Sequence, residues 1–137
     1  MKDKADKYDP RVLVRIRAGE TITAADYIQL LKLREQFIRT INAAASGYDA
    51  MLMPTTPDTA PTIAETSKDD ETYFRLNLRM VRNTIIVNLF DGCALSIPCH
   101  EPGAAPVGMM IAGTQNTDRK ILAIGLAVEE VVSKRRV

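Results

Sequence analysis

The 137-residue chain is one domain or part of one, and its 46% hydrophobic content is typical of a globular protein. Its 18 basic and 17 acidic residues give a net charge of +1, so electrostatics provides no reason to expect a nucleic acid or an anionic membrane as partner. No apolar run reaches the roughly 20 residues of a membrane span, and the charged N-terminal segment lacks the apolar core of a signal peptide.

The first third of the chain predicts two helices. Asp9 followed by Pro10 is the pattern of an N-cap and a first helical residue, and it starts a short helix. Thr23 with Asp26 opens the longest predicted helix, which ends at Gly47 as a C-cap. Apolar residues recur on this helix at helical spacing and predict one broad apolar face: Tyr27, Leu30, Leu31, Leu33, Phe37, Ile38, Ile41 and Ala44.

The rest of the chain predicts three strands and further helices. The strands are 50–53, 94–97 and 107–112, and we expect them to be buried, the last two on both faces. Residues 54–70 contain three prolines and predict a long loop.

A helical pattern returns at Thr72 and is interrupted at Asn83-Thr84, so a second short helix is expected to about Phe90. Thr117 with Asp118 caps a last helix, to about residue 132.

These elements predict an α/β fold in which helices pack on a small mixed β-sheet. Three strands are few for a sheet buried on both faces, and unpaired sheet edges invite pairing with another chain. We therefore expect residues 1–137 to form a single partial domain, whose sheet is completed by polypeptide outside this sequence or by a second copy.

The two cysteines predict no disulfide. Cys93 and Cys99 lie six residues apart around one predicted strand, about 20 Å apart at roughly 3.3 Å per residue. We expect reduced thiols and a cytoplasmic protein.

Several short segments occur together in an order that identifies a family. The main one runs from Asn88 through Pro98 to residues 106–113, and it follows a Pro54-Thr55 pair and an Asp-Pro element near the N-terminus. Together they resemble the C-terminal portion of the amidase signature family, whose members hydrolyse carbon–nitrogen amide bonds. The resemblance implies the C-terminal part of the amidase signature fold.

The resemblance also implies a reaction centre that this sequence lacks. The family uses a nucleophilic serine, a second serine on a cis peptide bond and a lysine that takes a proton through the bridging serine, and backbone N–H groups hold the oxyanion. None of the serines here lies in a Gly/Ser-rich run; they are Ser46, Ser67, Ser96 and Ser133. We therefore expect no catalytic residue in this chain, which alone should be inactive.

One departure from the family pattern bears on the subgroup. The family members that transamidate misacylated tRNA read Asn-Leu-x-Gly-x-Pro here, whereas this chain has one more residue between Asn88 and Gly92. The segment resembles general amidases and allophanate-hydrolase-type members more closely.

Three residues are candidates for lining a substrate pocket. Asn83, Thr84 and Asn88 lie where the family turns a helix toward its pocket. The alternative interpretation is that Asn83 and Thr84 cap two consecutive helices.

Other reactive residue types predict no site. His100 is the only histidine and matches no zinc-site spacing, so no metal is expected. A Cys93–His100 pair and a Ser96–Lys68 dyad are conceivable, yet a buried strand cysteine is usually inert and Lys68 lies in a charged loop. The glycine and proline spacing at 102–108 fits no phosphate loop, and no cofactor is expected.

Three hypotheses follow. The chain is the C-terminal fragment of an amidase-type hydrolase, contributing scaffold and part of a substrate wall to the N-terminal catalytic portion that binds a small amide. Alternatively, it is a non-catalytic module that forms a homodimer, or it is one half of a split amidase.

Overall fold

The computed structural model describes residues 2–134, and the chain divides between Arg34 and Glu35 into two compact units. The first unit contains 3₁₀ turns at Lys2–Lys7 and Ala18–Thr21, helix α1 (Pro10–Arg17) and the start of helix α2 (Ala24–Ala45). None of the helices in the described residues is long and apolar enough to cross a membrane.

The predicted starts of both helices are confirmed. Asp9 Oδ1 accepts hydrogen bonds from the backbone N–H groups of Arg11 (2.9 Å) and Val12 (3.3 Å) at the start of α1. At the start of α2, the Asp26 N–H donates to Thr23 Oγ1, and the Thr23 hydroxyl donates to Asp26 Oδ2 at 2.6 Å. This side-chain hydrogen bond, followed by that from the Thr23 N–H, lowers the pKa of Asp26 below its ordinary value.

The apolar face of α2 is packed against the core in its C-terminal half and exposed in its N-terminal half. Phe37, Ile38 and Ile41 pack against the core of the second unit. In the first unit no residue of α1 is buried, and the apolar residues of α2 there are 49–59% exposed: Tyr27, Ile28, Leu30, Leu31 and Leu33.

The second unit is built on a three-stranded sheet. Strands β1 (Met51–Pro54), β2 (Cys93–Pro98) and β3 (Gly108–Gly113) stand in the order β1-β3-β2, and Ile111 pairs with both Leu52 and Leu95. Both pairings are antiparallel, so the prediction of a mixed sheet is wrong. The reason is that β3 returns directly from β2 and inserts between β1 and β2, which run in the same direction.

Helix α4 (Asp70–Leu89) crosses between β1 and β2 without a break. The predicted interruption at Asn83-Thr84, and with it the interpretation that these residues cap two helices, is therefore wrong. The Thr84 hydroxyl donates to the Val81 carbonyl at 2.9 Å, within the same helix, and Asn83 turns its amide to another part of the chain. Both side chains donate to carbonyl oxygens and neither caps a backbone N–H group, so neither interrupts the helix.

Two further helices, one short and one long, complete the unit. The predicted loop at 54–70 contains a one-turn helix, α3 (Ile63–Thr66), which starts with a capping box between Thr62 and Glu65. Helix α5 (Asp118–Lys134) ends the described chain. The Thr117 hydroxyl donates to the Thr114 carbonyl at 2.6 Å and thus stabilises the turn before α5.

The sheet has a separate apolar cluster on each face. Met110 and Ala112 of β3 pack with Val87 of α4 and with Phe90, the residue directly after α4. On the other face, Ile97 and Ile111 pack against Ile121 of α5, with Leu95 and Val128 at the margin.

Of the three strands, only β3 is buried on both faces, so the expectation of a β2 buried on both faces is wrong. Residues of β1 alternate between half-buried and exposed, and Leu52 is 63% exposed. Strands β1 and β2 are the two edges of the sheet in the described residues, and each has one unpaired side.

Candidate functional site: a hydroxyl-lined groove at one end of the sheet

A buried polar side chain of α4 contacts the end of β1. Asn83 is 7% exposed, and its Nδ2 donates to the Pro54 carbonyl at 2.7 Å. Its Oδ1 accepts a long hydrogen bond from Arg82 Nε, at 3.4 Å. Because buried amides need such partners, this contact fixes α4 against the point where β1 ends and the loop begins.

Two hydroxyls meet over the central strand beside this point. Thr55 Oγ1 and Ser96 Oγ are 2.5 Å apart, although β1, which Thr55 follows, and β2 are not neighbours in the sheet. The Thr55 N–H donates to the Gly108 carbonyl at 2.8 Å. A Cβ atom at Gly108 would lie 2.5 Å from Ser96 Oγ and 2.8 Å from Thr55 Oγ1, so the pair forms only over a glycine.

These hydroxyls lie in an open groove of about 330 Å³. His100 lies at its side, with Nδ1 at 3.3 Å from both the N–H and the carbonyl oxygen of Val107, so its tautomer decides whether Nδ1 accepts from the one or donates to the other. The lining contains no carboxylate, lysine or arginine and consists of Thr55, Thr56, Ser96, Pro98, His100, Pro106, Val107 and Gly108. It therefore offers hydroxyl groups and an imidazole for hydrogen bonding, beside apolar side chains.

The catalytic pairs considered from the sequence do not meet in this structure. Ser96 has the Thr55 hydroxyl as its partner, not Lys68. Cys93 Sγ lies 3.3 Å from Thr117 Oγ1 at the start of β2, whereas His100 follows the opposite end of that strand. The groove can bind a polar group, but it presents no nucleophile hydrogen-bonded to a base.

The three predicted pocket residues lie on one helix and have different environments. Asn83 is buried and holds the Pro54 carbonyl; Thr84 is half-buried and holds the Val81 carbonyl. Asn88 is exposed, one turn after Thr84. Both cysteines are free, and within residues 2–134 no group of three or more His, Cys, Asp or Glu side chains is placed to hold a metal ion.

The Thr55–Ser96 pair was not predicted from the sequence. The residues are 41 positions apart, and Ser96 was considered only for a pairing with Lys68. The signal that could have found the pair was Thr55 directly after a strand, together with a small residue at the start of β3.

An amidase family model matches residues 2–122, and the chain therefore belongs to the amidase family. In a crystal structure of an amidase, a similar substructure superposes with a TM-score of 0.71 at 25% identity and covers 90% of this chain and 29% of that one.

Curated relatives have diverse activities. The chain is 29% identical over 136 residues to a 2-amino-5-chloromuconic acid deaminase of Comamonas testosteroni, covering 96% of this chain and 28% of that protein. It is 32% identical over 135 residues to a glutamyl-tRNA(Gln) amidotransferase component of Thermotoga maritima, covering 95% of this chain and 27% of that protein. The chain thus spans less than a third of the length of these relatives.

Proposed function

We propose that this chain forms the C-terminal scaffold and one wall of the substrate pocket of an amidase-type hydrolase that cleaves carbon–nitrogen bonds. The nucleophilic serine, the bridging serine and the lysine come from polypeptide outside these 137 residues. The observation that carries the proposal is a family match over residues 2–122 in a chain that spans only 27–28% of its relatives.

The exposed apolar surface supports this role. In the first unit, Leu30 and Leu31 of α2 are 50% and 49% exposed; in the second unit, Leu52 and Leu126 are 63% and 71% exposed. Large apolar surfaces and open strand edges are features of an interaction site. The N-terminal catalytic portion of an amidase, which is the partner we propose, would cover them.

The pocket wall is formed from one side of α4 and the end of β1. Asn88 is exposed and available to contact a substrate, whereas Asn83 and Thr84 already hold backbone carbonyls and act by fixing the shape of the wall. We propose a small amide as the substrate, with no nucleic acid, membrane or cofactor involved. The extra residue between Asn88 and Gly92 supports a general or allophanate-hydrolase-type amidase rather than a tRNA-dependent one.

The test is an amide-hydrolysis assay on the purified chain with simple aliphatic and aromatic amides. We expect no turnover above that of buffer, because Ser96 is hydrogen-bonded to the Thr55 hydroxyl and not to a base. Turnover that a serine-directed reagent blocks would refute the proposal. A Ser96→Ala variant is the matched control, since any residual hydrolysis should be unchanged in it.

The two open strand edges also support a second candidate function, a non-catalytic module that dimerises. Sedimentation equilibrium distinguishes the dimerising module from the amidase scaffold. A stable, soluble dimer that does not bind a hydrophobic dye favours the module, and a dye-binding monomer favours the amidase scaffold. A split amidase is the intermediate case; it predicts that a separate protein with the Gly/Ser-rich motif copurifies with this chain.

A further inference from the structure

Helix α4 has a second apolar face, on the side away from the sheet. Its inner side packs on the sheet through Val87. On its outer side, large apolar side chains are exposed, and Leu78 among them is 57% exposed. These residues and two half-buried ones recur mostly every three or four positions and form the outer stripe: Phe74, Leu78, Val81, Ile85, Ile86 and Leu89. Such a narrow stripe is typical of a helix that packs along one other helix.

The outer stripe has arginines along one margin. From Thr72 to Leu89 the charged residues of α4 are Arg75, Arg79 and Arg82, and none is acidic. Within residues 2–134, Arg79 forms an ion pair with Asp58 at 2.5 Å, whereas Arg75 and Arg82 form none. Both are exposed and lie seven residues apart, which is two helical turns, or about 10.5 Å along the axis. This margin therefore presents two guanidinium groups at a fixed repeat.

The charges favour a partner other than a second copy or a membrane. A second copy that docks through the same stripe sets its own arginines against Arg75 and Arg82, and like charges across an interface repel. Anionic membranes favour a broad apolar face with basic residues around it. The other margin of this stripe is instead neutral and consists of Asn77, Thr84 and Asn88. The stripe is thus complementary to a single helix with acidic residues on one flank.

We propose that the outer stripe of α4 is the docking site of an amphipathic helix of the partner polypeptide, with carboxylates seven residues apart that face Arg75 and Arg82. Apolar burial along the stripe supplies affinity, and the arginine–carboxylate bonds set the register. This inference rests on the proposed function, in which another polypeptide covers apolar surface of this chain. It adds the place of one contact and the chemistry of the segment that makes it.

The experiment is a titration of the ¹⁵N-labelled full chain with two synthetic helical peptides of three heptads. Both have leucine at positions a and d, and the flanking positions e and g are glutamate in one and lysine in the other. The glutamate peptide is expected to give saturable shifts of the Leu78, Arg82 and Ile85 amide signals. The lysine peptide should bind roughly tenfold more weakly, because ion pairs are replaced by repulsion. Added salt should weaken the glutamate peptide.

Variants on α4 and α5 separate this face from the rest of the surface. Leu78→Gln should weaken the glutamate peptide by about fivefold or more and leave the melting temperature nearly unchanged, because the side chain is exposed. Arg75→Gln with Arg82→Gln should weaken it roughly 2- to 30-fold, the factor for two exposed ion pairs. The matched controls are Leu126→Gln and Arg119→Gln on α5, which packs on the opposite face of the sheet, and they should bind normally.

The inference is overturned if the two peptides bind equally well, if the shifts map to another face, or if the α4 variants bind normally. Vesicles of phosphatidylserine and phosphatidylcholine test the membrane. Vesicle binding that Leu78→Gln abolishes would assign the stripe to a lipid surface and overturn the inference. Self-association of the chain that Leu78→Gln abolishes would assign it to a second copy, with the same consequence.

Failure here and failure of the proposed function are distinguishable. The titration measures binding without turnover, so absent peptide binding by a chain that still supports hydrolysis with its partner overturns this inference alone. Conversely, hydrolysis by the isolated chain contradicts the proposed function, whatever the peptides do.

Discussion

Replacing Asn83→Ala is expected to cost about 1–3 kcal/mol of unfolding free energy, the range for leaving a buried hydrogen-bond partner unsatisfied. The side chain is 7% exposed, and its 2.7 Å bond to the Pro54 carbonyl joins two segments 29 residues apart. Alanine removes the donor and leaves a cavity that water reaches poorly. With a urea dependence of about 1–3 kcal/mol per molar, the midpoint of urea unfolding should fall by roughly 1 M.

Thr84→Val is the matched control for Asn83→Ala, because it removes a hydroxyl that bonds only within α4, to Val81. We expect its unfolding free energy to change by less than about 0.5 kcal/mol. Circular dichroism in a urea series measures both variants. Equal, small changes in the two would show that the Asn83–Pro54 contact does not hold α4 to the sheet.

Three further outcomes are expected from single changes. Ile111→Ala, at a fully buried position, should lower the unfolding free energy by about 2–5 kcal/mol in urea denaturation, and a cost below about 1 kcal/mol would contradict the packing described. Gly125→Ala places a Cβ atom where it overlaps Leu95 Cδ2, so overpacking of about 1–3 kcal/mol should outweigh the roughly 1 kcal/mol gain in helix propensity. The melting temperature should then fall, and a rise would count against the contact; in a Leu95→Ala background the penalty should vanish. Hydrogen bonds from the Thr62 N–H and, to a lesser extent, from the Thr62 hydroxyl lower the pKa of Glu65 below its ordinary value of 4.5. The Glu65 carboxylate therefore stabilises the fold above its unfolded-state pKa, and this stabilisation is lost as the pH falls through its folded-state pKa. Thr62→Val should raise this pKa part of the way, as seen by ¹³C NMR titration, and an unchanged pKa would exclude the hydroxyl contribution.

Local signals in the sequence predicted local structure well. The Asp9 cap and the Thr23–Asp26 pair are confirmed because each hydrogen bond spans two or three residues, so the residues that form it are neighbours in the sequence. The order of helices and strands is also confirmed, apart from the one-turn helix within the predicted loop and the second short helix predicted before Phe90, which is part of α4. Membership of the amidase family is confirmed by the match over residues 2–122.

Features that depend on distant partners were missed. Asn83-Thr84 predicted a helix break because short polar side chains favour caps. In the structure Asn83 instead bonds Pro54, a partner that no local pattern specifies. The sheet was predicted as mixed because strand direction depends on β3 inserting between β1 and β2. The role of Asn88 as a pocket residue stays a prediction.

The absence of a reaction centre from this chain is tested most directly by reconstitution. The chain is assayed for amide hydrolysis alone and after co-expression with an amidase-family polypeptide that carries the Gly/Ser-rich motif and its lysine but lacks the matched region. We predict no turnover from the chain or the polypeptide alone and measurable turnover from the pair. Turnover by the chain alone, abolished by a serine-directed reagent, would contradict the proposal.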